Sequence, residues 1–291
     1  IRGPFRSKPP AGVIAEAREL IDDGAVELNL IGQDTTAYGQ DLPGSPGLSG
    51  LLHELDRLPG AAWLRLLYAY PQRFADGLIS AMAECEHVLP YVDIPLQHVN
   101  GEILRRMGRG TPREEIESLL TRLRQSIPDI VLRTTFIVGF PGETDEQFEE
   151  LLDFVRQARL DAAGVFEFSP EEGTPAEAMS NQVSDDVKAE RRERLMLAQQ
   201  RIAFEKNESM AGQRLVVLVD GQDEEGRTIG RHPGQAPDID SACFLTDPVA
   251  AGAFVKGTVV GSEGYDLIVR PEAPGSEEVR QMHAAGGESS A

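Results

Sequence analysis

The chain has 291 residues, a formal charge of −20, 41% hydrophobic residues and two cysteines. Such a length suits about two globular domains. Cys85 and Cys243 alone exclude a disulfide scaffold and a cysteine-only metal cage within the chain, and they suit a reducing cytoplasm. The acidic balance argues against loose nucleic-acid binding, which depends on Lys and Arg, and favours a basic macromolecular partner. No apolar run approaches the roughly 18–20 residues that a membrane span needs. No secretory signal is visible, and the first residue is Ile1 rather than Met, so the native start is expected upstream.

Residues 1–10, IRGPFRSKPP, are basic and proline-broken and read as a loop. From 11 to 23, Val13, Ala17, Leu20 and Ile21 recur at helical spacing, and Gly24 is the stop. A short alternating strand follows at 25–31. The pattern then predicts strands at 63–68, 88–94, 132–138 and 164–168, and helices at 48–58, 74–84, 102–107, 112–126 and 146–159. Strands alternating with helices imply an α/β fold with a parallel sheet, as a complete or partial barrel in preference to a doubly wound sheet. A long charged helix is expected at 184–210, with Ser184 as N-cap and a narrow apolar seam of Leu195, Ala198 and Ile202. Past Gly212 the pattern is all-β, with short strands at 214–219, 242–245, 255–260 and 267–269. These suggest a small barrel of the OB or SH3 type. The expected domains are 1–210 and 211–273, and the Gly/Ser/Glu/Ala-rich stretch 274–291 is expected to be disordered.

Three segments fall just past the C-terminal ends of strands, where β/α chemistry belongs. In IGQDTTAYG (31–39), Gly32 permits close approach, and Asp34 can accept hydrogen bonds from ribose hydroxyls or an ammonium group. Gln-Asp-Thr is equally a common turn. DIPLQH (93–98) leaves Gln97 and His98 at the mouth. His98 could be a base or a ligand, though a satisfied hydrogen-bonding histidine is the simpler reading. RTTFIVGFPGE (133–143) runs from strand to turn to helix, which sets backbone N–H groups beside a pocket. Arg133 can clamp a carboxylate through two parallel hydrogen bonds. Gly-Phe-Pro-Gly could equally be a tight turn, with Glu143 near the helix cap, and no Gly-Lys-Ser/Thr of a phosphate loop follows.

Taken together the segments are more specific than any one. The run from Arg2-Gly3 through Arg6-Ser-Lys-Pro9, IGQDTTAYG, DIPLQH followed by ILRRMGRG, FIVGFPGETDEQF and FSPEEGTP resemble the radical-SAM methylthiotransferases. The terminal β-domain is similar to their TRAM domain, and the resemblance covers about residues 1–272. Gln33-Asp34-Thr35 before Ala37-Tyr38-Gly39, and Ala236-Pro-Asp-Ile-Asp240, resemble the RimO branch, which modifies an aspartate of small-subunit ribosomal protein S-twelve. The tRNA-modifying branch usually carries Gln-Asn at the first place.

This resemblance implies a partial (β/α)6 TIM-like barrel followed by a small all-β TRAM, OB-like domain. It implies S-adenosylmethionine as cofactor and two [4Fe-4S] clusters in the full-length enzyme. One S-adenosylmethionine methylates sulfur. Another is cleaved reductively at a cluster, and the 5′-deoxyadenosyl radical takes a hydrogen from the aspartate β-carbon before the methylthio group is installed. Such clusters are held by Cys thiolates. The family's CxxxCxxC falls just before the segment matching 1–10, and neither Cys85 nor Cys243 substitutes for it. The chain is therefore expected to be a fragment that binds no cluster and is inactive alone, and no residue can be assigned as radical initiator.

Residue by residue, Gly32, Gln33 and Asp34 match the family's loop after its second strand. Arg133 and Thr135 match its S-adenosylmethionine-facing strand, with Arg133 expected to pair with the ligand carboxylate. Val138, Gly139 and Phe140 would approach the adenine through backbone, while Gln97 and His98 line the mouth. Two competing readings are a tRNA methylthiotransferase and a non-catalytic binding module. Residues 211–273 hold five basic side chains against ten acidic ones, where an RNA-binding module would show a basic patch. The β-domain is thus expected to meet a basic ribosomal protein in the cytoplasm, with Asp238 and Asp240 as contacts and without direct nucleic-acid binding.

Overall fold

A computed structural model describes residues 4–44, 47–60 and 63–272. The expected disordered tail at 274–291 and the Arg2-Gly3 pair lie outside them. Helix α1 (Pro10–Asp22) opens on Pro10, whose missing N–H is no loss in a first turn. It stops at Gly24, as the sequence predicts: a left-handed φ of 97° lets the Ala25 N–H return to the Leu20 carbonyl at 2.9 Å.

Strands and helices then alternate: β1 (Glu27–Leu30), α2 (Gly47–Asp56), β2 (Trp63–Leu66), α3 (Asp76–Glu84), β3 (Val88–Asp93), α4 (Gly101–Arg106), α5 (Arg113–Ser126), β4 (Val131–Val138), α6 (Asp145–Ala158) and β5 (Ala162–Glu167). The strands form one parallel sheet in the order β1-β2-β3-β4-β5. Each crossover carries at least one helix, which is what parallel neighbours require. Side chains alternate across the sheet. Leu28, Leu64, Leu66, Val92 and Leu132 pack with helix residues such as Leu52, Leu123 and Leu152 into the main core. Fully burying each such leucine contributes about 1.5–3 kcal/mol.

Helix α7 (Asp185–Ser209) leaves this sheet. Leu195 and Ile202 are buried as the seam predicts, but Ser184 makes no side-chain cap bond. The helix also buries Lys188, Arg191 and Gln199, polar residues that obscure its apolar seam in the sequence. It leads to a closed barrel of β6 (Arg214–Gln222), β7 (Thr228–Arg231), β8 (Cys243–Leu245), β9 (Phe254–Glu263) and β10 (Asp266–Pro271), in the order β10-β8-β7-β6-β9. Strand β7, Thr-Ile-Gly-Arg, was not expected. It is four residues long and lacks an alternating pattern. Gly230 is required there, because a Cβ would sit 2.4 Å from the Leu218 carbonyl oxygen of β6.

The β-domain is docked on the other face of the parallel sheet. Leu218, Ala236 and Phe254 pack against Trp63, Leu67, Leu89 and Tyr91. The Trp63 and Phe254 rings meet edge to face at 5.2 Å. Two ionic clusters cross the seam. In one, Glu27 accepts from Arg65 Nε at 2.7 Å and from Arg231 Nη1 at 2.6 Å, while Arg231 also holds Asp220 at 2.9 Å. In the other, Asp240 accepts from the Tyr91 hydroxyl at 2.7 Å and from Arg133 Nε at 3.2 Å. Arg133 Nη1 completes it by donating to Asp93 at 2.9 Å.

This corrects the expected role of Asp240. Its side chain is 6% exposed and turned into the seam, so it cannot meet an outside partner. The Tyr91 hydroxyl, the Arg133 guanidinium and the Ala236 N–H supply a better set of donors than solvent. Asp238 is exposed and stands in the left-handed region at φ 66°.

Candidate functional site

The C-terminal ends of the strands carry the three segments singled out in the sequence. After β1, Ile31, Gly32 and Gln33 are exposed. Asp34 is not free. Its Oδ1 accepts from the Thr36 hydroxyl at 2.5 Å and the Ala37 N–H at 3.2 Å, and its Oδ2 pairs with Arg73. These bonds cap a short helical turn over Thr35–Ala37. Thr35 ties the loop to the end of β2, through its hydroxyl to the Leu67 carbonyl at 2.8 Å and its N–H to that of Tyr68 at 3.1 Å. Of the two readings of Gln-Asp-Thr, the turn accounts for Asp34, and Gly32 and Gln33 remain open to a ligand.

Past β3, Gln97 adopts φ 68° and stitches the segment to β4. Its N–H donates to Thr135 O at 2.8 Å, and its carbonyl accepts from Ile137 N at 2.7 Å. Gln97 Oε1 is buried and has no hydrogen-bond partner among the described residues. His98 is fully buried rather than at the mouth. Its Nδ1 accepts from the Asn100 N–H at 2.9 Å, which leaves the proton on Nε2, 4.0 Å from Glu143 Oε2. Burial, reinforced by the charge of Arg191, pushes its pKa down to about 3, so the ring is neutral. That is the histidine of a core, not of an accessible base.

At the end of β4, Val138 and Phe140 are buried, and Gly139 turns the chain at φ 72°. The N–H groups of Gly139 and Phe140 donate to Glu143 Oε2 at 2.8 and 3.2 Å. Arg191 of α7 pairs with Glu143 Oε1 at 3.0 Å. Burial raises the Glu143 carboxyl against the opposing pull of Arg191 and the two N–H groups. The N–H groups expected to face a ligand are thus held by the protein's own carboxylate. The Val138 carbonyl accepts from Phe168 N at 2.9 Å, and the Phe140 and Phe168 rings stack edge to face at 5.1 Å. Gly139→Ala is expected to destabilise by about 1–3 kcal/mol, read as a lower urea midpoint, since a new Cβ adds left-handed strain to its collision. That Cβ would stand 2.3 Å from Lys188 Cγ.

Arg133 does not wait for a ligand carboxylate at this end, because Nε and Nη1 are taken by Asp240 and Asp93. Thr135, two residues further along the same face, is half-buried. Sequence reasoning missed the exposed apolar groups here: Ile31 at 65%, Tyr68 at 44% and Phe166 at 60%. Each stands at or just past the end of its strand, where an unburied large side chain is the available signal. Phe166 shares its face with Thr135, since both are the side-chain neighbours of Gly164.

The cysteines are elsewhere and are poor metal ligands. Cys85 is buried with Sγ 3.3 Å from His53 Nδ1, and burial with nearby carboxylates pushes its thiol up to about 11. Cys243 lies in the β-domain core, bonded to Gln235 Oε1 at 3.2 Å, and burial pushes it up to about 12. Both remain thiols, whereas cluster ligands are thiolates. Among the described residues no group of three or more His, Cys, Asp or Glu side chains could hold a metal ion. Cys85 and Cys243, protonated and in separate cores, do not make a ligand pair for an iron–sulfur cluster.

Residues 1–155 match the family model of the radical SAM superfamily. The chain belongs to this superfamily. Residues 211–271 match the TRAM domain model, so the docked β-domain of this radical SAM protein is a TRAM domain. A Geobacter sulfurreducens protein named ribosomal protein uS12 methylthiotransferase RimO is 49% identical over 271 residues, covering 92% of this chain and 61% of that protein. A protein of the same name from Anaeromyxobacter sp. strain Fw109-5 is 46% identical over 293 residues, covering 99% and 62%. The chain thus spans about three-fifths of the curated relatives it matches. The solved structure of coproporphyrinogen III oxidase (HemN) from Escherichia coli, a radical SAM enzyme, superposes with a TM-score of 0.50 at 14% identity. It covers 77% of this chain and 58% of that one, and speaks for the barrel fold alone. Among the described residues no helix is long and apolar enough to cross a membrane.

Proposed function

We propose that this radical SAM and TRAM pair belongs to a RimO-type enzyme that adds a methylthio group to the β-carbon of an aspartate in ribosomal protein uS12. The supporting observation is the 49% identity to a protein of that name, over 271 residues that include both domains. S-adenosylmethionine, the cofactor the superfamily uses, supplies the methyl group and, once reduced, the oxidising power to remove a hydrogen from an unactivated carbon. The strand ends suit such a ligand. Gln97 Oε1 is a buried acceptor without a partner among the described residues, and the ammonium and adenine amino groups of the cofactor are donors. Ile31, Tyr68 and Phe166 offer apolar surface around it. The backbone at Gly32 and Gln33 is open, Thr135 offers a hydroxyl, and Val138, Gly139 and Phe140 form the wall beneath.

The chain's own contribution is positional. Glu143 and Arg191 fix the turn after β4, and Asp34 fixes the turn after β1, so a ligand meets preformed walls. In the whole protein we assign two [4Fe-4S] clusters, with ligands other than Cys85 and Cys243. The acidic TRAM domain is the surface for the basic ribosomal protein in the cytoplasm, with Asp238 retained as a contact. The test is anaerobic incubation of the whole protein with iron, sulfide, S-adenosylmethionine and either uS12 or tRNA, with this chain alone as the inactive control. Replacement of one hydrogen by a methylthio group on uS12, read by mass spectrometry, is expected. Modification of tRNA instead would overturn the reading.

A further inference from the structure

Four cations around the strand ends are already spent on carboxylates. Arg73 pairs with Asp34, Arg133 with Asp93 and Asp240, Lys188 with Asp185, and Arg191 with Glu143 and Asp145. Arg106 and Arg109 differ: among the described residues neither has a carboxylate partner. Both stand where α4 stops. Gly108 turns the chain at φ 74°, and the Arg109 N–H returns to the Leu104 carbonyl at 2.7 Å.

From this turn the two side chains reach different strand ends. The Arg106 guanidinium lies 5.9 Å from the centre of the Phe140 ring, just past β4. A Cβ at Gly142 would stand 2.7 Å from its Nη1, so the glycine leaves the room that the guanidinium fills. Arg109 Nη1 donates to the Pro95 carbonyl at 2.8 Å, just past β3, and its guanidinium lies 5.3 Å from the centre of the Tyr70 ring. A guanidinium has five N–H groups. Among the described residues Arg106 gives none of them to an acceptor, and Arg109 gives only the one from Nη1.

Both side chains are half-buried, and a charge withdrawn from water without a counter-ion needs an account. Burial pulls the Arg109 pKa down, with Tyr70 opposing. Cations suit the negative end of a helix such as α4, but fully solvated side chains would serve that end equally. The aromatic faces hold the two guanidiniums in place and leave their N–H edges to an outside acceptor. The chain carries a charge of −20 and repels a carboxylate over most of its surface, so an aspartate brought to the mouth needs local positive charge. Resting on the RimO-type assignment, we infer that Arg106 and Arg109 receive the side-chain carboxylate of the target aspartate. Gripping that carboxylate fixes the adjacent β-carbon, from which the hydrogen is taken.

The experiment is fluorescence anisotropy on the whole, anaerobically reconstituted protein, with a labelled uS12 peptide carrying the target aspartate and with its asparagine counterpart. S-adenosylmethionine binding is measured beside it by calorimetry. The native protein is expected to bind the aspartate peptide at least about tenfold more tightly than the asparagine peptide. Arg106→Met and Arg109→Met are each expected to remove most of that preference and to leave the affinities for the asparagine peptide and S-adenosylmethionine as they were. Arg106→Lys keeps the charge without the planar fork and is expected to keep part of the preference. Should Arg109→Met fail to fold, the two Arg106 variants decide. No preference in the native protein, or a full preference kept by Arg106→Met or Arg109→Met, would overturn the proposal. So would loss of S-adenosylmethionine binding with the peptide preference intact, because the carboxylate served would then be the cofactor's. A native protein that binds neither peptide would overturn the RimO-type assignment itself, and this site with it.

Discussion

Glu27→Ala is expected to lower the stability of the chain by about 3–5 kcal/mol, because it leaves buried positive charge without its counter-ion. Arg65, which is 0% exposed, and Arg231 share that carboxylate at 2.7 and 2.6 Å. Arg231 would keep Asp220, but Arg65 would keep the Pro233 carbonyl, at 2.8 Å, and the face of the Tyr91 ring, at 4.8 Å. Burial already lowers the Arg65 pKa against the pull of Glu27. Removing Glu27 also juxtaposes two guanidiniums across the domain seam. The single tryptophan, Trp63, lies in that seam against Phe254, so its fluorescence in a urea titration reads the loss where it occurs. Arg65→Met added to Glu27→Ala is expected to restore part of the stability, since an apolar side chain suits the vacated space better than an unpaired charge. A loss under about 1 kcal/mol for Glu27→Ala would mean that the cluster is solvated and that the β-domain is not held by it.

The alternating core was legible because short apolar strand segments alternate with stretches of helical apolar spacing, the first of them stopped at Gly24. The all-β character of the second domain was legible for the same reason, although β7 was not. Its place is set by partners: Gly230 passes the Leu218 carbonyl of β6, and Arg231 reaches back to Glu27 of β1. The site was half legible. The glycine-bearing loops are at the strand ends, where the segments placed them. Which polar groups are free was not legible, because that depends on contacts between residues far apart in sequence. Arg133 and Asp240, 107 positions apart, satisfy each other, and so do Glu143 and Arg191, 48 apart. A motif names residues that could bind a ligand, and the fold decides which of them it has already used.

Acidification from about pH 6.5 to pH 4.5 is expected to remove about 2–3 kcal/mol of stability for each of two histidines. Burial pushes His98 down to about 3, with Arg191 adding to the effect, and His232 down to about 4, with Arg65 adding. Their unfolded values are near 6.5. Below that pH the unfolded chain binds protons that the folded chain refuses, so the unfolded state gains. The contribution is therefore complete above about pH 6.5 and falls away as the pH drops toward the folded values. Asp93 and Glu143 oppose it. Burial raises both carboxyls, so the folded state takes up protons there as acid is added. The histidine part is isolated by comparing urea unfolding of the native chain with His98→Gln and His232→Gln at about pH 7.5 and pH 4.5. Glutamine is expected to cost stability at the higher pH, because the acceptors for the Asn100 and Gly234 N–H groups change. It is also expected to flatten the loss between the two pH values by about 2–3 kcal/mol per site. The Asp93 contribution is common to native chain and variant alike, whereas Glu143 stands 4.0 Å from the His98 ring, so His232→Gln is the cleaner of the two comparisons. A pH dependence identical in all three proteins would show that the two rings are reached by protons in the fold, and that burial does not hold them neutral.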